Sequence, residues 1–171
     1  QTRELDAGDD ASSSRASVLL FRRYARTSDR ALQETVRVAL EAAVVRDPFY
    51  AEAFACLSQV YTNIVRFRIG PGPDVDSPPA RRAFELAYRA IELAPNSSRG
   101  HHALSRIHWF TGNTAGSFQE LEIARSLNPN DTGILADFGQ QCAVMADWDR
   151  AIPLLETAYA TNPGLPSSHR V

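Results

Sequence analysis

The chain has 171 residues, of which 44% are hydrophobic and 22% charged, the composition of an ordinary globular protein. Its eighteen basic residues are all arginine, and against twenty acidic residues they leave a net charge of −2, which excludes the basic footprint of a nucleic-acid binder. No apolar run approaches the ~18 residues of a membrane span, which excludes membrane insertion through a helix.

Residues 1–14, QTRELDAGDDASSS, lack apolar periodicity and read as a linker from an upstream domain. Because residue 1 is Gln, the chain is expected to be a piece of a longer one. Helical patterning begins near Arg15, where Val18, Leu20, Phe21 and Tyr24 mark one face, although Arg23 falls on a position expected to pack. Ser28 or Asp29 is positioned to cap a second helix with Ala31, Val36, Ala39, Leu40 and Ala43 as its stripe. Pro48 closes that run, and Phe54, Leu57, Ser58 and Tyr61 begin the next. VRFRIGPGPDVDSPP then forbids continuous helix over 65–79, with Ser77 and Pro78 as a cap and first-turn pair. Ala83, Ala87 and Ala90 lead to Pro95. His101, Leu104, Ser105 and His108, then Ser117, Leu121 and Ala124, lead to Pro129; Leu135, Phe138, Gly139 and Cys142, then Ala151, Leu155 and Ala158, lead to Pro163. Asn113 and Asp147 supply turn chemistry at the same place in these last two units.

The prolines set the period. Pro95, Pro129 and Pro163 are 34 residues apart, and each ends an apolar helical run: AIELAP, ARSLNP, AYATNP. Pro48 lies 47 residues before Pro95, so that unit carries 13 extra residues. A fixed period near 34 with two helical halves is the signature of stacked helix–turn–helix units. The expected division is repeats at about 15–48, 49–95 (with the insertion 65–79), 96–129 and 130–163, an array over 15–165, and the start of a truncated further repeat at 166–171.

This pattern resembles the tetratricopeptide repeat, W-x2-L-G-x2-Y, A-x3-F and a closing Pro, with no Trp at the lead position and Phe54, Leu57, Ser58 and Tyr61 as one instance of its first half. The resemblance implies an all-α, right-handed superhelix of about four helix-turn-helix repeats in which the first helix of each pair lines a concave groove. More narrowly, AAVVRDPFYAEAFACLSQVY and AYRAIELAPNSSRGHHALSRIHWFTGN are similar to repeat tracts of bacterial signalling proteins, where such tracts follow a class III adenylate cyclase or a winged-helix DNA-binding domain. That likeness implies a non-catalytic regulatory module that binds proteins; the alternative is a small-ligand-sensing domain coupled to an upstream cyclase or DNA-binding domain. The carboxylate clamp of co-chaperone repeats needs Lys and Asn at groove positions held here by Phe21, Ala25, Ala55 and Gln59, so heat-shock-protein tails are not expected to bind by that mechanism.

Candidate chemistry is sparse. There is no phosphate-cradling Gly loop, HExxH or GxSxG, so no catalytic residue and no cofactor are expected. His101 and His108 are two helical turns apart, about 10 Å at ~1.5 Å per residue, too far to share a metal, and read as buried packing residues. Cys56 and Cys142, without a CxxC pattern, read as buried free thiols of a cytoplasmic protein. Arg99, His102, Arg106 and Trp109, at spacings of 3, 4 and 3, share one helix face that would look into the groove. Glu52 and Gln59 before them, and Gly133, Ala136 and Gln140 after them, occupy matching repeat positions, and the small side chains of the last set are expected to leave room for an acidic guest chain. Partners are therefore expected to be a protein or peptide, acidic segments among them, or an upstream domain of the same chain. The competing reading pairs Arg99 with Glu52 as a surface salt bridge.

Overall fold

The computed structural model describes the backbone of residues 2–27, 29–67 and 74–165, and side chains from residue 13 onward. The expected cap Ser28, the insertion residues 68–73 and the further repeat at 166–171 lie outside the described residues. Eight α-helices form among the described residues: α1 (Thr2–Thr27), α2 (Arg30–Arg46), α3 (Ala51–Arg66), α4 (Pro78–Leu93), α5 (Ser98–Phe110), α6 (Thr114–Leu127), α7 (Thr132–Val144) and α8 (Trp148–Thr161).

Local chemistry sets the ends. Asp29, Ser97, Asn113, Asp131 and Asp147 each stand at an N-cap with the side-chain oxygen accepting a backbone N–H two or three residues on. Ser77 caps differently: its hydroxyl donates back to the Asp74 carbonyl at 2.8 Å, while Pro78 fills the first helical position. At the other ends Asp47, Ala94, Asn128 and Asn162 share one backbone conformation, with ψ of 83–85°. Each precedes a proline, whose ring drives the preceding residue out of the helical region. This is the physical origin of the 34-residue punctuation.

Residues 2–14, expected to be a linker, continue α1 as helix, since Ala7 and Ala11 favour helix and no proline interrupts. The end of that segment packs: Ser14 is buried and Arg46 of α2 donates to the Ser13 hydroxyl at 3.0 Å.

The insertion is distributed over three places. Between α3 and α4 there are 11 residues (67–77) where the corresponding turns 111–113 and 145–147 have three; α3 has 16 residues against 13 in α5; and α4 has 16 against 14 in α6. Helix α3 thus gains almost a full turn at its C-terminal end, carrying Arg66 with Phe67 as its C-cap.

Small residues allow the paired helices to cross closely. Ser58, Ser105 and Gly139 occupy the same repeat position. Ser58 donates to the Ala83 carbonyl at 2.8 Å, the Ser105 hydroxyl meets that of Ser117 at 3.1 Å, and a Cβ on Gly139 would lie 2.7 Å from Leu155 Cγ. Apolar packing is uneven along the array. One cluster joins α1 to α4 through Phe21, Leu40, Leu57 and Leu86, and a second joins α3, α4 and α5 through Ala83, Leu104 and Ile107, with Phe54 and Tyr61 packed on both. A third joins α6, α7 and α8 through Leu121, Phe138 and Ala151, and shares Leu154 with the cluster that covers Leu165. The second and third clusters share no residue. What ties the first helix of the third repeat, α5, to that of the fourth, α7, is polar.

Candidate functional site

Four first helices contribute to one hydrogen-bonded line. Tyr24 of α1 accepts from Asn63 Nδ2 of α3 at 3.0 Å; Asn63 Oδ1 accepts from Arg106 Nη2 of α5 at 3.3 Å; Arg106 Nη1 donates to Asp137 Oδ2 of α7 at 2.6 Å. The same Oδ2 meets His102 Nε2 at 2.7 Å, so an ionised Asp137 makes Nε2 the protonated ring nitrogen. Burial strengthens these bonds: the Arg106 side chain is 13% exposed and that of Asp137 9%. Ser117 of α6 adds a bond to α7, its hydroxyl donating to Gln141 Oε1 at 2.9 Å, while His101 is held between Glu120 Oε2 of α6 (2.6 Å) and the Pro95 carbonyl (2.9 Å).

Arg99 and Glu52 are brought together, but as a pair: Arg99 Nε lies 3.3 Å from Glu52 Oε1, which also accepts from Arg22 Nη2 at 2.9 Å. His102 and Arg106 are brought together on Asp137. The room expected beside them is therefore taken, because the Asp137 carboxylate fills it, Ala136 is fully buried, and the His102 ring stands 3.8 Å from where a Gly133 Cβ would be. Trp109 and Gln140 are partly exposed and line a small recess with Arg66, Arg106, Phe110, Asp137 and Gln141. Gln59 is partly exposed on α3. His101 is buried, and His108 is half-buried edge-on against Phe84, with ring centroids 5.1 Å apart.

Sequence reasoning missed Asp137, Asn63, Tyr24 and Arg66. Asp137 aligns with Ala103 one repeat earlier, so the repeat pattern gives no reason to expect a charge there. The available signal was its spacing from Gly133 and Gln140, four and three residues, which puts it on the chosen face.

Burial pushes the Cys56 thiol up to about 12 and, with a weaker field from Glu120 opposing it, pulls His108 down. Burial also lowers Arg66, and repulsion from Arg106 adds to it. Among the described residues no group of three His, Cys, Asp or Glu is placed to hold a metal ion, and no helix is long and apolar enough to cross a membrane. A wider cleft of about 670 Å³ opens between α6 and α8, floored by Leu135 and Phe138 and rimmed by Arg125 and Arg150.

No protein-family model and no curated protein matches the sequence. Solved structures do. A thermophilic TPR protein of Thermus thermophilus, TTC0263, matches with a TM-score of 0.72 at 17% identity over 88% of this chain and 74% of that one. PilF of Pseudomonas aeruginosa matches with a TM-score of 0.65 at 19% identity over 93% of this chain and 65% of that one. The fold is the tetratricopeptide-repeat superhelix. The structure of MamA gives a TM-score of 0.56 at 18% identity, over 91% of this chain and 82% of that one. At such identities the likeness carries the tetratricopeptide fold and no partner.

Proposed function

We propose that this chain is a non-catalytic protein–protein interaction module whose first-helix face binds an acidic segment of a partner protein. One observation carries the reading: the line Tyr24–Asn63–Arg106–Asp137 ties α1, α3, α5 and α7 into a single polar face, which is already ordered before any guest arrives. On that face Trp109 and Gln59 remain partly exposed, offering a flat ring and an amide to an extended chain, and Arg66 beside Trp109 offers a cation to its carboxylates. The structural neighbours add support from the fold alone, since stacked helical repeats create extended binding surfaces.

The sequence likeness to repeat tracts of bacterial signalling proteins extends the proposal: the module serves as a cytoplasmic regulatory tract of a larger protein, and its guest is a partner peptide or another part of its own chain. Sensing of a small anion is the competing reading, and it predicts binding of free dicarboxylates as tight as binding of peptides.

Charge reversal of Arg99 and Arg106 is a poor probe, because it would set new carboxylates against Glu52 and Asp137 and disturb the fold. The informative variants are Trp109→Ala and Gln140→Glu. In a peptide-array screen with the 171-residue protein, the hits should be enriched in Asp and Glu and should weaken as salt rises. Titrated hits should lose at least fivefold affinity in either variant. Hits without acidic bias, or equal affinity for the variants, would remove this face as the binding surface.

A further inference from the structure

The added turn of α3 carries a cation without an acidic partner among the described residues. Arg66 is half-buried, with its guanidinium carbon 5.0 Å from the Phe67 ring centroid and 5.4 Å from that of Phe110. Arg106 lies 6.0 Å from the Phe110 ring on α5, and Arg30, at the start of α2, lies 5.6 Å from the Phe67 ring. Arg30 and Arg66 thus share the Phe67 ring, and Arg66 and Arg106 share the Phe110 ring, so the three arginines gather at one corner of the array. The carboxylate whose field reaches Arg66 is that of Asp137, already engaged by Arg106 and His102. Among the described residues no hydrogen bond or ion pair reaches the Arg66 guanidinium, and the neighbouring segment 68–73, RIGPGP, contains no Asp or Glu.

Stacking satisfies the faces of a guanidinium and leaves its edge of N–H donors open. Two rings therefore fix the Arg66 fork while its donors await an acceptor. Burial and the neighbouring Arg106 both raise the energy of its charge, a cost that an incoming carboxylate removes.

We infer that Arg66, held between Phe67 and Phe110 and flanked by Arg30, Arg106 and Trp109, is a carboxylate subsite for an Asp or Glu side chain of an acidic partner peptide. This assignment deepens the proposed function and rests on it. The occupant is a peptide because the adjoining recess encloses only about 20 Å³, room for about one water, whereas small ligands are enclosed by pockets of roughly 300–1,000 Å³. A guest must lie across the surface, with its carboxylate on Arg66 and apolar groups against Trp109 and Phe110. The insertion acquires a role here: it extends α3 by the turn that places Arg66 at the rim.

The test uses the full chain and a rhodamine-labelled nonapeptide repeating Glu-Phe-Ser, with its Gln-Phe-Ser counterpart and free glutarate as comparison probes, read by fluorescence anisotropy. The acidic peptide should bind the wild type at least tenfold more tightly than the glutamine peptide. Arg66→Ala should weaken it at least tenfold, Arg66→Lys less, and Arg89→Ala, on α4 beside Glu92, not at all. Helicity and melting of Arg66→Ala should match the parent, since the site is at a helix end. Equal binding by Arg66→Ala, or no binding of the acidic peptide to the wild type, would overturn the subsite. Glutarate binding as tightly as the peptide would overturn the peptide occupant in favour of a free dicarboxylate. If Trp109→Ala abolishes binding while Arg66→Ala retains it, the groove reading stands and the Arg66 subsite alone falls.

Discussion

Arg106 and Asp137 meet at 2.6 Å between α5 and α7, neighbouring first helices that no shared apolar cluster joins among the described residues. A buried ion pair adds little net stability over an apolar pair of similar shape, because both charges must leave water. It is costly to break, however, since removal of one partner strands the other. The pair therefore fixes the register of α7 against α5 more than it holds the helices together. His102, on the same carboxylate oxygen, makes that register three-sided.

Asp137→Ala should accordingly destabilise the protein by ~3–5 kcal/mol, because Arg106 and His102 lose their shared acceptor while buried. The paired replacement Arg106→Met with Asp137→Leu should recover part of that loss, since His102 still lacks its acceptor. Urea unfolding of the three proteins checks this. A loss below ~1 kcal/mol for Asp137→Ala would mean that water reaches the pair and the seam is not dry.

The turn between α7 and α8 contains a strained residue. Ala146 has φ of 59°, where the preceding repeat places Gly112 at 85°. A Cβ in the left-handed region costs ~1–2 kcal/mol, partly offset by the greater freedom that glycine gives the unfolded chain. Ala146→Gly should be stabilising by ~0.5–1 kcal/mol, seen as a higher midpoint in denaturant with unchanged slope. Destabilisation would show that the methyl group packs.

His108 supplies a pH dependence with a definite sign. Burial lowers its pKa below the ordinary 6.5, so the unfolded chain binds a proton that the folded chain resists. Its contribution is complete above pH 6.5 and is lost as pH falls below that value toward the folded pKa. His108→Phe keeps an aromatic edge against Phe84 and removes the titrating group. The difference in stability between wild type and variant should therefore be flat above about pH 7 and shift in favour of the variant toward about pH 5. A difference independent of pH would mean that the ring is protonated equally in both states.

The repeat architecture is legible in the sequence because its determinants are local. Each proline forces the residue before it out of the helix, and Asp29, Ser97, Asn113, Asp131 and Asp147 cap through their own side chains. Helical continuity through residues 2–14 is not, because composition rich in Asp and Ser says little where tertiary contacts such as Arg46 on Ser13 are out of view. The candidate face is half legible. Helical spacing puts Arg99, His102, Arg106 and Trp109 together, yet their partners Glu52, Asn63 and Asp137 lie 31–47 residues away. Spacing shows which residues share a face; it does not show which charges the face has already neutralised. Arg66 is hidden for a related reason: it sits beyond the standard length of a first helix, on a turn that only the insertion adds.

Uneven packing governs how the array should come apart. Deleting residues 130–171 removes α7 and α8, and with them the partners of α5 and α6. Phe118 loses Phe138, whose ring centroid is 5.7 Å away; the fully buried Leu121 is exposed; and Arg106 and His102 lose Asp137. In a stacked array each unit contacts its neighbours only, so the loss should be felt most in the adjacent pair and fade beyond it. Repeats one and two are shielded because the cluster joining α1 to α4 contains no residue of α5 to α8, while the second cluster only rests α5 against α3 and α4. Hydrogen exchange should therefore show α5 and α6 amides losing protection at least tenfold in the truncated chain, while α2 and α3 amides keep theirs within about threefold. Uniform loss across all six helices would mean that the whole array unfolds as one cooperative unit. Unchanged protection in α5 and α6 would mean that the third pair is stable without its neighbour, and the polar seam would then contribute nothing to it.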